Sequence, residues 1–214
     1  MSADDKITLY YSPQTRAAGA RVLLEELGAP YDLRVLNMKA GEQRKPEFLA
    51  INPLGKVPTI GHRGQIVTEQ VAIFIYLPDL FPQAGLTPAL DDIRRGPYLR
   101  WIAYYGSSSE PAVIDHFMKR DPAPVTQSPY ADYDTMLGAL EKQLAAGPYL
   151  LGDRMTAADI LWGIALNWTM MFGVVPRNDV LVRYAERITA RAAFQRVTAA
   201  DVEMAAQHAA ECAG

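Results

Sequence analysis

The sequence predicts an α/β domain over residues 1–81, a linker over 82–90 and an all-helical domain over 91–214. Three observations predict it. Strand-like and helix-like patterns alternate from Ile7 to the helix that follows Glu69. The stretch Pro82-Gln83-Ala84-Gly85-Leu86-Thr87-Pro88 then breaks both patterns with two prolines and a glycine. Beyond it apolar residues recur only at helical spacing. Half of the 214 residues are hydrophobic, enough for a sizeable core in one large domain or two small ones.

Ile7 to Tyr11 reads as a strand with Ile7, Leu9 and Tyr11 on one face. Ser12-Pro13-Gln14-Thr15 breaks it and can start a helix, in which Ala20, Leu23, Leu24 and Leu27 form one apolar stripe that Gly28 ends. Tyr31, Leu33 and Val35 alternate, so Tyr31 to Leu36 is the second strand. A connection of this length implies a parallel pair with a right-handed crossover. Glu47 to Ile51 is a short helix. Val57 to Ile60 and Gln65 to Val67 read as a hairpin with His62-Arg63-Gly64 at its tip. The helix after Glu69 turns Val71, Phe74 and Ile75 inward, and Pro78 ends or kinks it.

In the second domain Tyr98 to Tyr105 is helical, and Gly106-Ser107-Ser108-Ser109-Glu110-Pro111 predicts a kink or break. Tyr133, Leu137, Leu140 and Leu144 form a stripe. Thr156 is an N-cap with Asp159 three residues on, so Asp159 reads as a helix cap rather than a catalytic acid. The apolar run from Ile160 to Pro176 holds Asn167 and Thr169 and is short for a bilayer; it reads as a buried core helix. Leu181, Tyr184 and Ile188 share a face, and a last helix starts near Phe194, with an alanine-rich end expected to fray.

Two stretches carry chemistry. Asn52-Pro53-Leu54-Gly55-Lys56-Val57-Pro58 is a loop entering a strand; a cis bond before Pro58 would turn the Val57 N–H and C=O outward, free to pair with an extended peptide. Val67-Thr68-Glu69-Gln70 ends a strand and opens a helix, whose N-terminal amides favour a carboxylate, while Glu69 offers an anion to an ammonium. A backbone pair, an anion and a helix N-terminus together suit a short zwitterionic peptide.

This pairing, with the β-α-β-α-β-β-α order and the Thr156–Asp159 cap, resembles the glutathione transferase family over nearly the whole chain. The resemblance implies a thioredoxin-like first domain that binds glutathione, a helical domain that completes a second-substrate pocket, and a homodimer. Glu69 matches the acidic residue that meets the γ-glutamyl amine. Gln70 stands where the family usually has serine for the γ-glutamyl carboxylate. Val57, before Pro58, matches the residue whose backbone pairs with the cysteinyl unit. Lys56 precedes Val57, as in theta-like members, though it also reads as an ordinary solvated lysine, and Gln43 stands where those members have histidine near the glycine carboxylate.

A thiol attacks as its thiolate, and at a free pKa of ~8.5 little is ionised at neutral pH. A hydroxyl bonded to the sulfur, a helix N-terminus or a cation lowers that pKa. By the resemblance the group lies in Tyr11-Ser12-Pro13-Gln14-Thr15-Arg16, in the order Thr15, Ser12, Tyr11, with Arg16 as a cationic helper. Tyr11 fits only if its ring leaves the core face. Thr15 also reads as a simple helix cap. Tyr104, Tyr105 and Ser108 are candidates for the second-substrate pocket, with Trp101, Trp168 and Phe172 behind them, although aromatics at helical spacing are commonly core.

The net charge of −3, with both signs interspersed, gives neither a nucleic-acid patch nor a polybasic membrane segment. Met1 to Lys6 lacks signal-peptide character, and Cys212 is the only cysteine, so a cytoplasmic protein is expected. That leaves no intrachain disulfide and no CxxC pair. His116 and His208 have no partners at metal-ligand spacing, and no metal is expected. The function implied is transfer of glutathione to an apolar electrophile. A glutathione-dependent disulfide oxidoreductase, or a non-catalytic protein that keeps the fold, stays open beside it.

Overall fold

A computed structural model describes residues 6–121 and 123–212. They form two compact units: one takes the described residues up to Ala84 together with those from Arg191 on, the other is Gly85–Ala190.

The first unit is built on a four-stranded sheet of order β2-β1-β3-β4, formed by β1 (Ile7–Tyr11), β2 (Tyr31–Val35), β3 (Thr59–His62) and β4 (Gln65–Val67). β2 runs parallel to β1, with Tyr11 opposite Val35; β3 runs antiparallel to β1 and β4 antiparallel to β3. This mixed sheet, flanked by helices, is the thioredoxin-like arrangement. Ile7, Leu9 and Tyr11 are fully buried, as period-two alternation requires. Helix α1 (Ala17–Leu27) buries Ala20, Leu23, Leu24 and Leu27 and ends at Gly28, whose φ of 62° a glycine adopts at little cost. A short α2 (Pro46–Leu49) precedes β3.

Three local expectations are corrected here. β3 starts at Thr59, so Val57 and Pro58 stay in the loop before it. His62 is the last residue of β3, buried, with Nδ1 2.7 Å from the Tyr76 hydroxyl; the turn itself is Arg63-Gly64, both at positive φ as a tight hairpin turn needs. Helix α3 (Gln70–Leu80) buries Ile73, Phe74, Leu77 and Pro78 and leaves Val71 and Ile75 half-exposed. Its sequence is apolar nearly all round, so spacing alone did not select a face. Pro78 sits in the last turn of α3, which ends two residues further on, at Leu80.

The second unit is helical: α4 (Arg95–Tyr104), α5 (Glu110–Phe117), α6 (Tyr133–Leu144), α7 (Ala157–Met171) and α8 (Asp179–Thr189). The predicted break at Gly106 is a π-helical turn, Tyr105–Ser109, which keeps α4 and α5 in one continuous helical path. Helix α7 is the buried centre, and Gly163 lets α8 approach it: a Cβ there would stand 2.4 Å from Ile188. Thr156 and Asp159 form a reciprocal capping box on α7. The last helix, α9 (Ala192–Glu211), runs on through its alanine-rich end and packs along α1 within the first unit. No helix among the described residues is long and apolar enough to cross a membrane.

Candidate functional site

Strand register decides which loops meet. β1 ends at Tyr11, and β3, running against it, begins with Thr59 opposite Tyr10. β4 runs against β3 and ends with Val67 opposite Ile60. β2 ends beside β1, where the Leu36 N–H donates to the Tyr11 carbonyl at 2.7 Å. Four segments therefore leave one edge of the sheet: Ser12–Arg16, the Asn37–Gln43 loop, Leu54–Pro58, and Thr68–Gln70.

The Leu54–Pro58 loop is fastened by two buried polar side chains. Asn52 Nδ2 donates to the Lys56 carbonyl at 2.9 Å and to Thr59 Oγ1 at 3.0 Å, and Thr59 Oγ1 donates to the Lys56 carbonyl at 3.0 Å. Among the described residues the Val57 N–H and C=O have no hydrogen-bond partner, and the Val57–Pro58 bond is cis. Lys56 keeps an exposed side chain. Gly55, at φ 61°, lies so close to the next loop that a Cβ would stand 2.7 Å from the Gln43 carbonyl. This close approach places Gln43 beside the loop, and the buried Gln43 Oε1 has no partner among the described residues.

Glu69 caps α3 from φ 63° and ψ 118°, a strained conformation for a residue with a side chain, and its carboxylate is exposed. Gln70 reaches back across α1: its Nε2 lies 3.4 Å from the Arg16 carbonyl and 3.2 Å from where a Cβ on Gly19 would stand. The N-termini of α1 and α3 are thereby drawn side by side, their positive ends at the same edge.

At the start of α1, Thr15 Oγ1 donates to the Ser12 carbonyl at 2.7 Å and accepts from the Ala17 N–H at 3.2 Å, so its side chain also serves as a local cap. Ser12 is buried and Arg16 exposed. The Tyr11 ring stays on the core face. It is fully buried, its hydroxyl donates to Asp201 Oδ1, and burial followed by that carboxylate pushes its pKa well up. Such a phenol reaches neither solvent nor a ligand at the edge.

Asp201 is the residue sequence reasoning missed. It lies on α9, is 5% exposed, and besides Tyr11 accepts the Gln14 N–H on Oδ2 at 2.9 Å, with the Arg21 guanidinium 3.9 Å away. An acid in an alanine-rich helix, nearly two hundred residues from its partners, leaves no spacing to read.

Tyr104, Tyr105 and Ser108 belong to the helical unit. Tyr105 is buried edge-on to Trp162, with its hydroxyl on Glu110 at 2.6 Å. Ser108 is buried, with Oγ 3.5 Å from the Pro129 carbonyl. Tyr104 is half-buried, donates to the Met136 carbonyl at 3.1 Å, and has its pKa raised by burial. Trp101 is core; Trp168 is half-buried beside Phe172, which is exposed.

A mixed four-stranded sheet with a hydroxyl-bearing β1–α1 loop, a Val-Pro loop and an acidic residue at the head of α3, followed by a helical unit, defines a thioredoxin-like domain joined to a helical one. The family patterns agree: "Glutathione S-transferase, N-terminal domain" matches residues 5–79, and "Glutathione S-transferase, C-terminal domain" matches residues 113–192. The chain belongs to the glutathione S-transferase family. It is 30% identical to a zeta-class glutathione S-transferase of Euphorbia esula over 72% of each chain. It is 27% identical to the disulfide-bond oxidoreductase YfcG of Escherichia coli K12 over 87% of this chain and 92% of that one. Among solved structures it is similar to a sphingomonad glutathione S-transferase complexed with glutathione, at 27% identity and a TM-score of 0.74, covering 91% of this chain and 98% of the other.

Proposed function

We propose that the chain binds reduced glutathione along this sheet edge and transfers the glutathionyl group, through its sulfur, to a small apolar electrophile. The observation that carries the reading is the meeting, at one edge, of the unpartnered Val57 backbone pair with the paired N-termini of α1 and α3 and the exposed Glu69 carboxylate. In this reading Val57 pairs with the cysteinyl backbone, Glu69 takes the γ-glutamyl ammonium, the amides at Glu69–Gln70 take its carboxylate, and Gln43 and Lys56 face the glycine carboxylate. The similarity to a glutathione-bound relative supports it.

The sulfur then lies toward the start of α1. Ser12 and Thr15 are the hydroxyls proposed to reach it, Thr15 by exchanging its bond to the Ser12 carbonyl for one to sulfur. The α1 N-terminus stabilises the thiolate further. The thiol proton leaves to solvent, the sulfur lone pair forms a bond to the electrophilic carbon, and the electron pair of the bond broken there leaves with its substituent. Preorganised ionisation and positioning are the catalytic contributions. Among Tyr104, Tyr105 and Ser108, Tyr104 is the least buried, and its ring is the one proposed to meet an apolar substrate. A homodimer is proposed from the family resemblance, to be read by light scattering.

A glutathione-dependent disulfide oxidoreductase is the second reading, favoured by the similarity to YfcG. Calorimetric titration with reduced and with oxidised glutathione separates the two. Micromolar to low-millimolar binding of the reduced form, weakened in Glu69→Ala, supports the transferase. Tighter binding of the oxidised form supports the oxidoreductase, and binding of neither rejects both.

A further inference from the structure

We propose that Asp201, on the C-terminal helix α9, is a positioning residue for the thiol site: it holds the loop carrying Ser12 and Thr15 in its working geometry. The proposal rests on the glutathione reading above. Gln14 sits at φ 55°, a conformation that costs a residue with a side chain of order 1 kcal/mol. What opposes that cost is the bond from its N–H to Asp201 Oδ2, while Oδ1 takes the Tyr11 hydroxyl at the root of the same loop. One carboxylate thus clamps both ends of the turn that presents the two hydroxyls.

The clamp is itself seated. Arg191 grips Glu26 with two bonds of 2.6 and 2.7 Å, and Arg196 meets Glu25 at 3.0 Å, so α9 is registered along α1 before it reaches the loop. Ten residues past Asp201, Glu211 accepts from Asn37 Nδ2 at 2.9 Å, and the Asn37 side-chain oxygen in turn accepts the Lys39 and Ala40 N–H groups. The same helix therefore braces two of the four edge segments. The charged and titratable groups facing Asp201 are Tyr11 and Arg21; Arg21 also contacts the Tyr31 hydroxyl, which donates to Glu25.

A sign test separates positioning from simple electrostatics. Asp201→Asn keeps the shape and one acceptor but deletes a negative charge near the bound sulfur. Charge removal alone lowers the thiol pKa of bound glutathione. Loss of the loop geometry raises it, because the hydroxyl and amide contacts to the thiolate weaken. The experiment is an ultraviolet thiolate titration of glutathione bound to the full chain, wild type against Asp201→Asn and Asp201→Glu, with thermal melts in parallel. The expected result is a bound-thiol pKa higher by about one unit in Asp201→Asn, equivalent to a tenfold loss of thiolate. Asp201→Glu is expected to recover part of it. An unchanged or lower pKa, in a wild type that binds glutathione normally, overturns the proposal and leaves the function standing. No binding by the wild type overturns the function and this proposal with it. Should Asp201→Asn not fold, amide exchange in the wild type decides: a slowly exchanging Gln14 N–H is expected, and a fast one contradicts the clamp.

Discussion

Two buried aspartates, one in each unit, carry nearly the same chemistry to opposite ends. Asp159 accepts from the N–H groups of Leu150 and Thr156, from Thr156 Oγ1 and from the Tyr184 hydroxyl, all within the helical unit. Asp201 accepts from a tyrosine hydroxyl and one backbone N–H, with an arginine close by, at the edge of the sheet. Around Asp159 the donors belong to the start of a core helix, to a neighbouring loop and to a packed tyrosine, so the group stabilises. Around Asp201 one donor belongs to a residue at positive φ in the loop that bears Ser12 and Thr15, so the same acceptors are proposed to hold the thiol site in shape. Burial and hydrogen bonding alone do not mark function; what the donors are attached to does.

The largest effect expected is on the stabilising member. Asp159→Ala leaves four donors without an acceptor and is predicted to cost about 3–5 kcal/mol in a denaturant melt. A cost under about 1 kcal/mol would show that water replaces the carboxylate and would break the contrast. Next, Glu69→Ala is predicted to weaken glutathione binding by about tenfold or more while leaving the melt within about 0.5 kcal/mol, because its carboxylate is exposed. Calorimetry and denaturation on the same sample check both halves. Gly163→Ala is expected to cost about 1–3 kcal/mol by overpacking against Ile188, with glutathione affinity unchanged.

A smaller effect concerns pH. The Asn37 N–H, and after it Lys45, holds the Glu42 carboxyl below the usual carboxylate range. A depressed folded pKa means that its stabilisation is present above the unfolded value of ~4.3 and is lost as pH falls through the lower folded value. The Asn37 loop is predicted to loosen in that acid window, seen as a change in the Asn37 amide resonance. Arg196→Ala, at a largely exposed ion pair with Glu25, is expected to change stability by no more than about 0.5 kcal/mol.

The contrast also explains what the sequence disclosed. Asp159 was legible because its capping partner lies three residues away and the box has a fixed spacing. The order of strands and helices along the first unit and the hairpin were legible for the same reason, each resting on local patterns. The buried face of α3 was not, because Val71, Ile73, Phe74, Ile75 and Leu77 leave apolar residues on every side. The engagement of Thr15 with the Ser12 carbonyl, and Asp201 altogether, were hidden: one depends on a turn's geometry, the other on where α9 comes to rest.

The central claim is that the sheet edge of the first unit, and not the buried cap of the second, receives glutathione. Backbone amide chemical shifts followed through a titration with reduced glutathione test it most directly. Shifts concentrated at Thr15, Gln43, Val57 and Gln70, with Thr156 and Asp159 unmoved, are the predicted result. Saturating shifts elsewhere, with those four amides still, would contradict it.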